Sequence, residues 1–271
     1  MTTKQTPNSP IGIFDSGLGG LTVLKSLEKI LPNESFIYFG DTAHVPYGTK
    51  SAEMVTLYSQ NIMDFFLKYE TKAVVIACNT ASAVAFQHLK RTYDIPLFDV
   101  VTPSVEYSMK ITKTQKIGVI GTYSTIQSGV YKRMFKDQGN SCSVQEISCP
   151  LFVSIIEEGW ADSSIARDIA EIYLQDFTNS DIDTLILGGT HYPIMANTIQ
   201  TLLSNQIQLV HSGKTVGHKL AEYLKKKNCE NFADLSRSVQ YFVTDFPRKF
   251  DELGSRFLGR KLNHVTHISL L

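Results

Sequence analysis

The sequence predicts an α/β fold made of two similar α/β units that have mostly parallel central sheets and face each other. Short apolar runs alternate with longer amphipathic stretches along the chain, which is typical of strands joined by crossover helices. Several of these runs are continuously apolar, such as residues 73–77, as expected for parallel strands that are buried on both faces. The same order of elements then occurs a second time, which predicts two related units.

The first set of elements begins with a strand at residues 11–14 that ends in the glycine-rich turn 15–20. Leucines at helical spacing follow, and Pro32 closes this helix. The remaining elements of the set are a strand at 36–39, a helix at 51–69, a strand at 73–77, a helix at 80–93 and a strand at 97–100.

The second set repeats this pattern. Its elements are strands at 116–121, 144–147, 184–187 and 207–210, helices at 122–136, 151–158, 165–177 and 215–227, and a helix that begins at Pro193, where proline is tolerated. The run Ile11-Gly-Ile-Phe resembles Ile117-Gly-Val-Ile, and Cys78-Asn-Thr occupies the place that Gly189-Thr-His has in the second set. Each set therefore has a buried strand that ends in small polar residues.

Composition excludes several classes of function. The 271 residues carry 26 Lys plus Arg and 26 Asp plus Glu, so a neutral chain offers little attraction to nucleic acid or an anionic membrane surface. No apolar run reaches the roughly 18 residues of a transmembrane helix, and the polar N-terminus lacks a signal-peptide pattern. The four cysteines show no CxxC spacing, which favours a reducing cytoplasm. We expect a cytoplasmic enzyme that handles a small molecule.

Candidate ligand-binding residues stand where strands end, because open parallel sheets bind ligands beyond their carboxyl ends. These positions are Asp15-Ser16, Cys78-Asn79-Thr80, Thr122 and Thr190-His191. A helix begins at each, so free backbone N–H groups suit a small anion such as a carboxylate. The turn 15–20 is a poor phosphate loop, because Thr22 stands where a GxGxxG motif needs glycine; it is equally well explained as a tight turn.

Three side chains leave two interpretations open. Cys78 is either a small buried hydrophobe or, with its pKa lowered by the helix N-terminus, a thiolate base. His191 is either a structural histidine or an acid–base group. Glu157, in a pair of acids at a helix end, is either solvated or turned inward to hold a histidine or an ammonium group. The histidines show no metal-ligand spacing, so no metal is expected.

Several motifs in order resemble the glutamate racemase family, within the cofactor-independent amino-acid racemases. The resemblance covers nearly the whole chain, and the matching stretches are residues 11–23, 41–48, 77–82, 149–153 with 157–159, 187–193, 242–245 and 257–259.

The resemblance implies two pseudo-twofold-related α/β domains with the active site between them. The first domain would comprise residues 1–101 plus 213–271, and the second residues 102–212. It also implies a homodimer that uses no cofactor and no metal, interconverts L- and D-glutamate, and supplies D-glutamate for peptidoglycan. A pair of cysteines on opposite faces of glutamate would remove and return the Cα proton, which is what inversion of a stereocentre requires.

Carried over by position, Cys78 matches the first catalytic cysteine. Asp15, Ser16, Tyr47, Gly48, Asn79, Thr80, Thr190 and His191 match substrate-binding positions. Asp15 is also placed to assist proton transfer at Cys78, and Glu157 and His191 match groups that assist on the second side.

The sequence departs from the family at Gly189, where the family has its second catalytic cysteine. Cys149 is no substitute, since the family carries a cysteine there as well. Gly189 is interpreted as a change that disables the enzyme, as a variant in which His191 or water replaces the thiol, or as the mark of a one-base reaction. A pair acting as a unit loses orders of magnitude in rate when one member goes, so we predict little or no racemisation.

Two further functions stay open. One is a single-cysteine enzyme, such as a racemase of another amino acid or a decarboxylase, although the single cysteine of arylmalonate decarboxylases matches position 189 and not Cys78. The other is a protein that binds glutamate without catalysis.

Overall fold

The computed structural model describes residues 6–139, 141–178, 180–203, 205–232 and 237–269. These residues form two sheets, and every paired strand in both sheets is parallel to its neighbour. The predicted α/β class with parallel sheets is confirmed.

The first sheet has six strands in the order β10-β9-β2-β1-β3-β4. Its strands are β1 (Ile11–Asp15), β2 (Phe36–Gly40), β3 (Ala73–Ile76), β4 (Leu97–Asp99), β9 (Val239–Val243) and β10 (Val265–His267). The central strands β1, β2 and β3 are buried at every residue, which explains their continuously apolar sequences.

The second sheet has four strands in the order β6-β5-β7-β8. They are β5 (Lys116–Gly121), β6 (Ser143–Ser148), β7 (Thr184–Gly188) and β8 (Gln208–His211). Strands from the chain's beginning and end thus share one sheet, and the middle of the chain forms the other. This division supports the domain boundaries expected from the sequence, which we retain as a proposal.

Helices connect the strands and cover the sheets. They are α1 (Leu21–Ile30), α2 (Ala52–Lys68), α3 (Asn79–Val84), α4 (Phe86–Thr92), α5 (Val101–Ile111), α6 (Tyr123–Gln127), α7 (Val130–Asp137), α8 (Leu151–Glu157), α9 (Ser164–Thr178), α10 (Ala196–Leu202), α11 (Ser212–Lys227) and α12 (Pro247–Leu258). Short 3₁₀ helices cover Tyr47–Thr49 and Tyr192–Met195. Within the described ranges, no helix combines the length and apolarity needed to cross a membrane.

Two helices expected to be continuous are broken. The helix predicted at 80–93 is divided at Ala85 into α3 and α4. The helix predicted at 122–136 is divided at Gly129, whose φ of 61° is left-handed and therefore ends α6 before α7 begins. The patterns also missed α5, whose first turn contains Pro103 and whose sequence is rich in polar residues.

Candidate active site

A cavity of about 200 Å³ lies where the carboxyl ends of strands from the two sheets face each other. Nine of the residues expected from the sequence line it: Ser16, Tyr47, Gly48, Cys78, Asn79, Thr80, Gly189, Thr190 and His191. Thr122, noted in the sequence as a strand end, also lines it, together with residues that the sequence did not assign: Val45, Pro46, Thr49, Tyr123, Pro150, Val153 and Ser154. Asp15 and Glu157 lie outside this lining. A larger cavity of about 690 Å³, bordered by α1, α11 and α12, contains none of the expected residues.

Cys78 caps the N-terminus of α3 and faces the cavity. Its Sγ accepts a hydrogen bond from the backbone N–H of Ala81 at 3.4 Å and lies 3.8 Å from Oγ of Ser16, to which it donates. Burial, followed by the nearby charge of Asp15, raises the pKa of this thiol to about 12, although the bonds to Ala81 and Ser16 act in the opposite direction. The helix N-terminus thus acts to lower this pKa, through the N–H of Ala81, but burial outweighs it.

Asp15 ends β1 beside Cys78 and is almost fully buried. Burial raises the pKa of its carboxyl group, and the positive charge of His191 partly offsets this. Its Oδ2 accepts a hydrogen bond from the N–H of Gly17 at 3.0 Å, whereas the buried Oδ1 has no hydrogen-bond partner among the described residues. The carboxyl group keeps one free acceptor next to the thiol.

The glycine-rich turn after β1 lets the two halves of the molecule approach each other. A Cβ at Gly19 would overlap both Oγ1 of Thr190 and Nδ1 of His191. Close by, Oγ1 of Thr22 donates a 2.7 Å hydrogen bond to the carbonyl oxygen of Thr190. Gly19 thus permits close packing between the halves.

The polar residues that follow Cys78 link α3 to the second half. Nδ2 of Asn79 donates to the hydroxyl of Tyr131 at 3.1 Å, and Oδ1 of Asn79 is buried without a partner in the described part of the chain. Oγ1 of Thr80 lies 3.1 Å from Oγ1 of Thr122 and 3.2 Å from Oγ1 of Thr125. Nothing in the sequence had marked Tyr131, whereas Thr122 had been noted as the end of a strand.

Tyr47 and Gly48 form another wall of the cavity. The hydroxyl of Tyr47 donates to Oδ2 of Asp41 at 2.6 Å, and burial followed by the charge of Asp41 raises the pKa of this phenol. Oγ of Ser124, in the second half, donates to the carbonyl oxygen of Gly48 at 2.5 Å. The 41–48 motif had suggested only Tyr47 and Gly48, and the structure adds Asp41 and Ser124 as their partners.

Gly189 faces the cavity without a side chain. A Cβ at this position would lie 2.9 Å from ring carbons of Tyr192, a fully buried side chain whose hydroxyl donates to the carbonyl oxygen of Cys149 at 3.0 Å. The thiol of Cys149 is itself buried, has its pKa raised to about 12 and is not part of the lining. Among the described residues around the cavity, Cys78 is the only cysteine.

His191 and Glu157 form a pair on the second side. Nε2 of His191 lies 3.0 Å from Oε1 of Glu157, and the ring of Phe257 meets the imidazole edge-on at 5.6 Å. Glu157 is accordingly the inward-turned acid that one of the sequence interpretations described. It reaches the cavity through His191.

Comparison with known proteins gives consistent matches over almost the whole chain. A sequence model of the family described as Asp/Glu/Hydantoin racemase matches residues 11–216. A glutamate racemase of Geobacter metallireducens is 43% identical over 264 residues, which is 97% of this chain and 98% of the relative. Among solved structures, glutamate racemase isoform RacE1 of Bacillus anthracis is similar with a TM-score of 0.92 and 34% identity over 97% of this chain and 98% of that one. A Francisella tularensis glutamate racemase in complex with D-glutamate is similar with a TM-score of 0.90 and 38% identity, over 97% of this chain and 98% of that one.

Proposed function

The chain belongs to the Asp/Glu/Hydantoin racemase family, alongside glutamate racemases, and we propose that it binds glutamate between its two halves and exchanges the Cα proton through Cys78 alone. The observation that carries the proposal is the composition of the cavity. Cys78 lies in it with polar groups from both sheets, and position 189 on the other side supplies no thiol. Proton transfer on one face of the substrate is the chemistry that this arrangement supports.

The free polar groups suit a small amino acid. The cavity is smaller than the roughly 300–1,000 Å³ that drug-sized ligands occupy. Its hydroxyl groups and the backbone N–H groups after Cys78 are donors for carboxylates. The unpartnered Oδ1 of Asn79, a residue of the lining, is an acceptor for an ammonium group, because a buried acceptor gains from a donor.

Substrate charge would activate Cys78. Burial favours the protonated form of the thiol. A bound ammonium group brings a positive charge close to the sulfur and lowers its pKa. The N–H of Ala81 already donates to the sulfur, and the hydroxyl of Ser16, which accepts from the thiol, can turn to donate to a thiolate. Asp15, beside the thiol, would receive or return its proton.

Racemisation is the step that this chain lacks. Inversion needs a second proton donor on the opposite face, and glycine has none. Loss of one member of such a pair costs several orders of magnitude in rate. We propose that the ancestral activity is glutamate racemisation for peptidoglycan synthesis in the cytoplasm, by a homodimer, and that Gly189 impairs it.

The test follows deuterium exchange in heavy water, with D- and L-glutamate supplied separately. We expect slow loss of the Cα–H signal of D-glutamate in NMR spectra, with no change in circular dichroism, because the family's first cysteine acts on the D-enantiomer. Cys78→Ser should abolish the exchange, and the control Cys229→Ser, outside the cavity, should not. Inversion at the rate of a two-thiol racemase would contradict one-sided chemistry. Absence of both binding and exchange would contradict the glutamate assignment.

A glutamate-binding protein without catalysis is the second candidate. The raised pKa of Cys78 favours it, because a thiol that stays protonated removes no proton. Saturable binding of D-glutamate without any exchange is the outcome that selects this function.

A further inference from the structure

Asp41 is a buried carboxylate that the reaction itself does not require. It follows β2, and its side chain is 1% exposed. Its oxygens accept hydrogen bonds from the hydroxyl of Tyr47 at 2.6 Å and from Oγ1 of Thr244 at 2.8 Å, and Nδ1 of His44 lies 2.9 Å away. Three groups from two distant parts of the chain thus converge on one carboxylate.

These contacts join the cavity wall to the C-terminal part of the chain. Thr244 directly follows β9, which pairs with β2 in the first sheet. Oγ1 of Thr244 also accepts from the N–H of Ala43 at 2.9 Å. Next to it, Oγ1 of Thr42 donates to the carbonyl oxygen of Asp245 at 2.6 Å and accepts from the N–H of Asp245 at 2.8 Å. Hydrogen bonds therefore hold residues 41–43 against the segment that directly follows β9.

Tyr47 transmits this anchoring to the cavity. It is 1% exposed, begins the short 3₁₀ helix Tyr47–Thr49 and lines the cavity together with Gly48. Its ring packs against Tyr58 of α2 with ring centroids 5.8 Å apart, and the hydroxyl is fixed by Asp41. A charge-assisted bond to a carboxylate is short and strong, so it selects one orientation of the ring.

We propose that Asp41 is a positioning residue for the substrate cavity: its carboxylate fixes Tyr47, and with it the backbone at Gly48, so that the segment directly after β9 supports glutamate binding without touching glutamate. The ligand named here rests on the proposed function. Asp41 itself is absent from the cavity lining, so it acts through Tyr47.

The test measures the Kd of D-glutamate by calorimetry for Asp41→Ala, Asp41→Asn, Tyr47→Phe and the Asp41→Asn/Tyr47→Phe double variant. We expect Asp41→Ala to weaken binding about tenfold or more, and Asp41→Asn less, because the amide still accepts one bond. Asp41→Asn should weaken D-glutamate binding by a smaller factor in the Tyr47→Phe background than in the original chain, since the bond between the two side chains is already absent there. The matched control is Asp64→Asn, which removes a carboxylate that accepts a 2.8 Å bond from Tyr93 away from the cavity.

A second measurement does not depend on glutamate. The chain is labelled with 3-fluorotyrosine, and the ¹⁹F resonance of position 47 is assigned by its loss in Tyr47→Phe. We expect Asp41→Asn to shift or broaden this resonance and Asp64→Asn to leave it unchanged. An unchanged resonance together with an unchanged Kd in folded Asp41→Asn overturns the positioning role. The role is also overturned if Asp41→Asn changes the Kd by the same factor in the original chain and in the Tyr47→Phe variant. If the original chain binds no glutamate, the proposed function fails, and the fluorine measurement alone decides the role of Asp41.

Discussion

The two halves of the molecule bring corresponding strand ends to the same cavity but equip them differently. After β3, Cys78 caps a helix with its sulfur, which also contacts Ser16. After β7, Gly189 leads into a 3₁₀ helix and has no side chain, and the ring of Tyr192 lies where its Cβ would be. Both turns place backbone and a hydroxyl-bearing residue at the cavity, but only the first places a thiol there.

This difference separates binding from catalysis. The positions that the family resemblance assigns to substrate binding line one cavity, with the exception of Asp15. Under the proposed function, proton transfer uses only the side of Cys78, while the pair His191 and Glu157 stands on the other side without a thiol. On this proposal, a fold with twofold pseudo-symmetry loses one half of its chemistry and keeps its binding site.

Gly189→Cys should give both sides of the cavity a thiol, and it is the variant with the largest expected effect on racemisation. We expect racemisation to rise by about a thousandfold or more, because a base–acid pair acts as a unit. The new Cβ would meet the Tyr192 ring at 2.9 Å, so the ring must move, at a cost of about 1–3 kcal/mol in the free energy of unfolding. Circular dichroism of L- and D-glutamate measures the activity, and urea unfolding the cost.

Gly189→Ala is the matched control for this variant. It adds the same Cβ, so it should show the same loss of stability and no gain in racemisation. A folded Gly189→Cys protein that does not racemise would show that the second side lacks more than its thiol.

The pH dependence of Cys78 alkylation tests the raised pKa of the thiol on the first side of the cavity. With a pKa raised to about 12, the thiolate fraction should increase about a hundredfold between pH 8 and pH 10. An ordinary thiol, with a pKa near 9, gains only about tenfold over this range because it approaches full ionisation. Iodoacetamide labelling of Cys78 followed by mass spectrometry measures the rate, and the urea-unfolded chain is the reference. A folded-state rate that levels off near pH 9 is the result that contradicts a raised pKa.

Glu157→Gln should give the smallest effect, and one that depends on position 189. In the present chain we expect exchange into D-glutamate to change by no more than about twofold, because the hydrogen bond that Glu157 accepts from His191 serves the side without a thiol. In the Gly189→Cys background the same substitution should lower racemisation about tenfold, since it weakens a charge-assisted hydrogen bond to the imidazole. Equal effects in both backgrounds would assign the pair a general structural role.

Much of the fold could be predicted because local patterns report it directly. Continuous apolar runs identified β1, β3, β5 and β7, and Pro32 identified the end of α1. The polar residues after strands identified seven residues of one cavity, because parallel strands bring their carboxyl ends to a common edge, and the family resemblance added Tyr47, Gly48 and Gly189. The left-handed Gly129 between α6 and α7 could not be inferred in this way, since glycine is tolerated inside many helices.

The sequence by itself determined the fold class, the family and the missing thiol at Gly189, because periodicity, motif order and residue identity are properties of the chain. Only the tertiary structure decided the state of Cys78, whose burial outweighs the helix N-terminus, and the packing of Tyr192 against position 189. The tertiary structure also decided that Asp41 joins Tyr47 to Thr244, although Asp41 and Thr244 are 203 positions apart in the chain. Desolvation and long-range contacts depend on which residues surround a group in space, and spacing along the chain does not report that.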